Sequence, residues 1–320
     1  MRVRRGERED TLNAAASWRP RGITPGDVDV GPSDLLTYLR GIDLDKLLLQ
    51  EKALFFRGFE ISVETYDDTC AALLPNRLPY VHGNSPRTKV GHNIYTSTEY
   101  PAEETIWMHS EMSYSSAWPS RLMFICERAS ATGGATPVVD TQLWLESIDD
   151  EVRTAFAGGL RYTQNMHAGR GLGKSWQVTF ETDDRKAVEA WLDGVGADWS
   201  WKPDGGLRLS QVRPATLRHP VFGTEHWFNQ ADQFHIAGMG EDAAMIAAVV
   251  PEDLLPQSVS FADGSPIPAE FINHIQETGL NLSCETEWQI GDVLLIDNVA
   301  VAHGRRPFTG DRRILVAMSG

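Results

Sequence analysis

Apolar positions along the chain follow two periods. Residues 33 to 49 carry them at helical spacing. "ALFFRGFEI" follows as a β-prone run with Gly58 near its end, which reads as a strand. "SVETYDDTCAALL" reads as a helix with Ser62 as its N-cap. From about Tyr80 to Asp140 the pattern is strand and loop, with "HNIYTS", "ETIWMHSEM" and "SRLMFICE" as the strand-like pieces. "DRKAVEAWLDGV", "EDAAMIAAVV" and "PAEFINHIQETG" have helical spacing. "GLRLSQVRPATLRHPVFGTEHWFNQ" reads as strands broken by Pro and Gly, and "DVLLIDNVAVAHG" and "RRILVAMSG" close the chain as strands. Many strands with a few flanking helices predict a mainly β, α+β domain spanning residues 1–320, with two sheets packed or curled together. Residues 1–20 are expected to be flexible or loosely packed, and the site is expected on the long loops.

Composition narrows the class. The chain has 320 residues, 42% of them hydrophobic, enough for a buried core. Net charge is -15 and no dense Lys/Arg block follows the first ten residues, which argues against nucleic acid as a partner. The basic start "MRVRRGERED" lacks the apolar region of a secretory signal and reads as a short polar tail. No apolar run approaches the roughly 18–20 residues of a membrane span. Cys70, Cys126 and Cys284 are scattered and form no CxxC pair, so a cytoplasmic protein without disulfides is expected.

The chemistry-bearing stretch is "IWMHSEMSYSSAWP". On a strand, His109 and Glu111 share one face. Two ligands so spaced can grip one metal ion; the helical HExxH of zinc proteases is absent. Non-haem Fe(II) oxygenases use two His and one carboxylate, leaving positions open for a co-substrate and O2. A distant second His is then required, and His303, after "DNVAVA" and before a turn with Pro307 and Gly310, fits best. In a hairpin centred near Phe308, His303 lies almost opposite Arg313, whose guanidinium suits the far carboxylate of a small diacid chelating the metal. Thr136, behind the Gly-Gly of "TGGATPVVD", can donate to the same carboxylate.

"HSE", "GGATP" and "AHGRRPFTGDRR", in this order and spacing, resemble the taurine dioxygenase and clavaminate synthase superfamily of Fe(II)/2-oxoglutarate-dependent oxygenases. The likeness runs from "ALFFRGFEI" to the C-terminus. "HGNSPRTKVGHNIYTSTEYP" and "EHWFNQADQFH" are most similar to the branch containing the syringomycin-pathway aspartyl hydroxylase. The resemblance implies a double-stranded β-helix (jelly-roll) core, with His109, Glu111 and His303 as iron ligands. It implies Thr136 and Arg313 as 2-oxoglutarate contacts, with Arg312 as the fallback because neighbouring strand residues point to opposite faces. It also implies hydroxylation of an unactivated C–H bond in an amino acid or derivative, free or carrier-bound, in natural-product and antibiotic biosynthesis. Desaturation and cyclisation begin from the same chemistry. Related halogenases replace the carboxylate ligand with a small residue, so Glu111 disfavours halogenation. The sulfonate-binding arginine of taurine dioxygenase would fall at Ala317, which disfavours taurine.

Other residues were weighed against plainer roles. His82, Asn84 and Arg87 sit in the polar loop before the iron strand and are expected substrate contacts. Arg305 would share the metal-facing side of a regular strand, where it pairs with a substrate carboxylate or makes a structural ion pair. His219, His226 and His235 read as ordinary strand and loop histidines rather than a second metal site. "HAGRGLGKSW" has Ala168 where a phosphate-binding loop needs its first Gly, and the preceding "RYTQNM" is a poor buried strand, so this segment reads as a flexible loop over the site. A cupin-like metalloenzyme without 2-oxoglutarate and a non-catalytic β-sandwich binding protein are the competing classes; Thr136 and Arg313 argue against the first, the intact ligands against the second.

Overall fold

A computed structural model describes residues 18–80, 87–98, 100–240, 245–246, 248–251 and 254–320. Its largest sheet has seven strands, in spatial order Arg21–Ile23, Ala53–Phe56, Val293–Asp297, Arg121–Arg128, Arg313–Ser319, Ile94–Thr96 and Lys89–Gly91. Several of these strands are apolar at nearly every position because both sheet faces are covered. Leu54, Phe56, Met123, Ile125, Val293, Leu295, Leu315 and Ala317 share one cluster with Leu35, Leu39, Leu48, Tyr66 and Leu73 of three flanking helices. The alternate residues Phe55, Leu122, Phe124, Leu294, Ile314 and Val316 cluster with Val138 and Val301 of a second, three-stranded sheet. That sheet has the order Ile106–His109, Val301–Arg305, Val138–Asp140. The functional residues lie in the space between these two sheets, in a strand-rich α+β jelly-roll fold without a closed barrel.

A four-stranded sheet (Asp198–Trp201, Leu207–Arg213, Leu160–Met166, Gln257–Phe261) walls the other side. Its strand Leu160–Met166 contains the "RYTQNM" expected to be unsuited to burial, yet it pairs on both edges and is buried at every position but Arg161. The polar side chains are accommodated by partners: Asn165 Nδ2 donates to the Leu255 carbonyl at 2.7 Å. The long helix Ala269–Leu282 buries Ile272, Ile275, Gln276, Gly279 and Leu282 along one stripe. A Cβ on Gly279 would come within 2.7 Å of the Trp144 ring, whose Nε1 donates to the Ile275 carbonyl.

Several expectations are revised locally. The helical run 33–49 is two helices, Leu35–Arg40 and Leu44–Glu51, broken at Gly41. The helix after "GFEI" starts at Tyr66, not at Ser62, because the Ser62 N–H is taken up in a turn by Thr65 Oγ1 at 2.9 Å. Thr141–Ser147 and Asp150–Phe156 are helices that the sequence pattern did not single out. The hairpin between His303 and Arg313 does not form: Val301–Arg305 and Arg313–Ser319 belong to different sheets. Half of "EDAAMIAAVV", residues 241–244 and 247, lies outside the described residues. Among the described residues no helix is long and apolar enough to cross a membrane.

Candidate metal centre

His109 is the last residue of its strand and is the register partner of His303 on the neighbouring one; their ring centroids are 4.3 Å apart. Close strand approach here needs Gly304, where a Cβ would fall 2.5 Å from the Ile106 carbonyl oxygen. Glu111 lies past the strand end, in a turn whose next residue, Met112, has φ 56. Its position is therefore fixed by something other than strand alternation. Asn298, 0% exposed, accepts from the Glu111 N–H at 2.8 Å and donates Nδ2 to the Glu111 carbonyl at 3.0 Å and to the Pro119 carbonyl at 2.8 Å. Removing that amide in Asn298→Ala leaves buried backbone groups unpaired. We expect a loss of about 2–4 kcal/mol of stability and roughly 10–100-fold weaker metal binding, read by thermal unfolding and by metal titration of the folded protein.

One ligand atom from each of His109, Glu111 and His303 lies within 4.8 Å of the others, and all three residues are buried. The donor set suits a divalent iron. His109 Nδ1 lies 2.9 Å from the Trp107 carbonyl, so it carries the proton and leaves Nε2 as a lone-pair donor. Burial lowers the pKa of His109, with Glu111 working against it. Burial, then His109 and Arg87, drives His303 well below its ordinary value. Both imidazoles are thus neutral and ready to ligate, and His303 Nδ1 is a buried atom without a hydrogen-bond partner.

These ligands open into two adjoining cavities. The smaller is lined by His109, His303, Thr136, Arg87, Arg305 and Arg312, among others. Arg312 shares strand parity with Ile314 and Val316, which face this cavity; Arg313 shares it with Leu315 and Ala317, which face the helices. Arg312 Nε donates to the Gly134 carbonyl at 2.8 Å, and Nη2 lies 3.4 Å from Thr136 Oγ1. Gly134, with φ 73, lets the guanidinium cross: a Cβ there would sit 3.0 Å from Arg312 Cδ and Nε. Among the described residues no carboxylate pairs with Arg312, and burial, aided by Arg305, brings its pKa down to about 10. Thr136 Oγ1 also accepts from Trp288 Nε1 at 3.1 Å, so its own hydrogen remains to be donated. A buried cation with no carboxylate partner among the described residues, beside such a hydroxyl, has the chemistry to receive a carboxylate.

Arg313, the residue expected in that role, is instead half-exposed and paired through Nε with Glu127 at 2.9 Å. The physical reason is strand alternation: the register shift at this point leaves Glu127 of Arg121–Arg128 as the extra residue and keeps the parity of Arg313–Ser319 intact. Val316, four residues after Arg312, lines the cavity, so an apolar residue stands where a sulfonate-binding arginine would be. Arg305 is buried and, among the described residues, pairs with no carboxylate: it donates to the carbonyls of Tyr100, Pro101 and Glu104 and so fastens the loop beside the cavity. Arg87 is in the site, with Nη2 2.6 Å from Glu111 Oε2. His82 and Asn84 lie outside the described residues.

The larger cavity, about 290 Å³, is lined by Tyr80, Trp107, Tyr114, Phe234, Gln230 and Gln233, besides His109 and Glu111. Gln233 Nε2 donates to the Trp107 carbonyl at 3.2 Å, the same oxygen that receives His109 Nδ1–H. Lys174, on the loop 167–175, is lowered to about 8 by burial and then by the charge of Arg87, which brings this loop within electrostatic reach of the site. His219, His226 and His235 make ordinary contacts, to Asp297, to Thr141 and Thr224, and to the Ile267 carbonyl. Sequence reasoning missed Asn298 and Trp288; an Asn inside the apolar run "LLIDNVAVAH" was the available signal for the first.

Residues 23–318 match the family model described as taurine catabolism dioxygenase TauD, TfdA family. The dapdiamide synthesis protein DdaC of Enterobacter agglomerans is 37% identical over 278 residues, covering 86% of this chain and 84% of that protein. A clavaminate synthase-like protein of Arabidopsis thaliana is 32% identical over 289 residues, covering 86% and 83%. A solved taurine dioxygenase from Burkholderia xenovorans shares the fold with TM-score 0.51 at 16% identity, over 94% of this chain and 86% of that one.

Proposed function

Because the chain belongs to the TauD, TfdA family of Fe(II)/2-oxoglutarate-dependent dioxygenases, we propose that it hydroxylates an unactivated C–H bond of an amino acid or amino-acid derivative, free or carrier-bound, in a biosynthetic pathway. The observation that carries this reading is the buried His109–Glu111–His303 cluster, two of whose residues line a cavity together with Arg312, which has no carboxylate partner among the described residues. His109, Glu111 and His303 would hold the iron. Arg312 and Thr136 would hold the distal carboxylate of 2-oxoglutarate and so set which way the co-substrate lies. When bound, iron with 2-oxoglutarate and O2 supplies the oxidant that removes a hydrogen atom from the substrate. The chain's own contribution is position and exclusion of water: Tyr80, Tyr114 and Phe234 give an apolar wall, while Gln230 and Gln233 offer amides to a polar substrate. The relative named for dapdiamide synthesis supports a biosynthetic substrate.

The test is a screen of amino acids, peptides and aminoacyl-carrier proteins for stimulated succinate release, with mass analysis of the product. Gain of one oxygen is expected. Loss of two hydrogens would replace hydroxylation by desaturation or cyclisation, and substrate turnover without succinate would overturn the reading.

A further inference from the structure

Arg87 has a contact that the reading above does not use. Its side chain is 3% exposed and that of Glu111 is 5% exposed. The Nη2–Oε2 contact of 2.6 Å uses one guanidinium nitrogen, and the group lies 4.2 Å above the Tyr80 ring. Nε and Nη1 are both buried and have no hydrogen-bond partner. Leaving a buried donor unmet is costly, and more so when the group is charged. Such donors are ordinarily completed by something that binds there.

The location says what. Arg87 lines the smaller cavity together with Arg312, Thr136, His109 and His303. The guanidinium carries its charge at any ordinary pH. Three arginines, Arg87, Arg305 and Arg312, thus face this cavity, while among the described residues Glu111 is the one carboxylate paired with any of them. A divalent ion on the three ligands would raise the excess of positive charge further. A diacid restores the balance only if both its ends are met, and Arg312 accounts for one.

Resting on the proposed function, we propose that Arg87 donates to the carboxylate at the metal-binding end of the 2-oxo acid, so that the cavity holds its diacid between two arginines. Glu111 is then shared between the ion and Arg87, and Arg87 positions the carboxylate ligand as well as the co-substrate.

The test uses the full chain saturated with Mn(II) without O2, and reads binding by calorimetry. Two ligands are compared: 2-oxoglutarate, and 2-oxovalerate, which keeps the chelating head and lacks the distal carboxylate. Arg87→Gln should weaken both by the same factor, about ten- to hundred-fold, the worth of one charge-assisted hydrogen bond. Arg312→Gln should weaken 2-oxoglutarate alone. A role confined to holding Glu111 would instead appear as weaker Mn(II) binding in the absence of any oxo acid, and a loss of that kind large enough to account for both ligands overturns the proposal. If Arg87→Gln does not fold, Arg87→Lys, which keeps the charge facing Glu111 but loses the planar fork, carries the same comparison. Binding of 2-oxovalerate within two-fold of wild type overturns the proposal, and does so also if the substrate KM rises instead, since the anion would then be the substrate's. Failure of the wild-type protein to bind either oxo acid is a different result and overturns the oxygenase reading itself.

Discussion

The His109→Ala protein should lose the weak visible band that Fe(II) and 2-oxoglutarate are expected to give together under anaerobic conditions, and with it all turnover. The substitution removes one of three protein ligands and leaves Glu111 and His303 to hold the ion alone. Losing an outer partner of a ligand already costs roughly 10–100-fold in metal affinity, and losing the ligand itself costs more. The fold should survive. His109 makes one side-chain hydrogen bond, to the Trp107 carbonyl, and Gln233 still donates to that oxygen. The strand pairing around it is carried by backbone groups. The measurement is the anaerobic absorption spectrum, with circular dichroism and thermal unfolding as controls. A band in the variant equal to that of wild type would remove His109 from the metal centre.

Arg312→Gln and Arg313→Gln should separate sharply, although the two residues are neighbours. Arg312 is buried and faces Thr136, and its loss should raise the 2-oxoglutarate dissociation constant roughly 100-fold, the worth of a paired charge-assisted contact out of water. Arg313 forms a half-exposed pair with Glu127. Such pairs are worth about 0–1 kcal/mol, so Arg313→Gln should leave the dissociation constant within two-fold and shift stability slightly. The reverse ranking would place the wrong guanidinium in the cavity and contradict the strand parity described above.

The pair also shows where the sequence stops being legible. That a cation follows His303 by about ten residues is readable from "AHGRRPFTGDRR". Which of two adjacent arginines faces inward depends on whether Ile314 and Val316 or Leu315 and Ala317 face the cavity, and both sets are apolar, so the residues themselves do not say. The apolar strands were legible because burial of both faces leaves a continuous hydrophobic run, as in "DVLLID". Leu160–Met166 was not, because its Thr, Gln and Asn find partners that only the folded chain supplies. His109 and Glu111 were singled out as a strand pair. The structure brings them together with His303, but by a turn held from afar by Asn298 rather than by alternation. Arg305 lines the cavity, as strand parity predicts, but its guanidinium is taken up by three carbonyls and serves as a clasp for the loop at Tyr100–Glu104.

The grip of Asn298 on Glu111 spans 187 positions of the chain. Closing so long a loop is entropically costly and comes late in folding. During synthesis, His109 and Glu111 emerge long before the strand that carries His303 exists, so a nascent or truncated chain holds no complete set of ligands. Ion capture is therefore coupled to completion of the C-terminal strands. An ion held by all three side chains would add its stabilisation to the finished molecule alone.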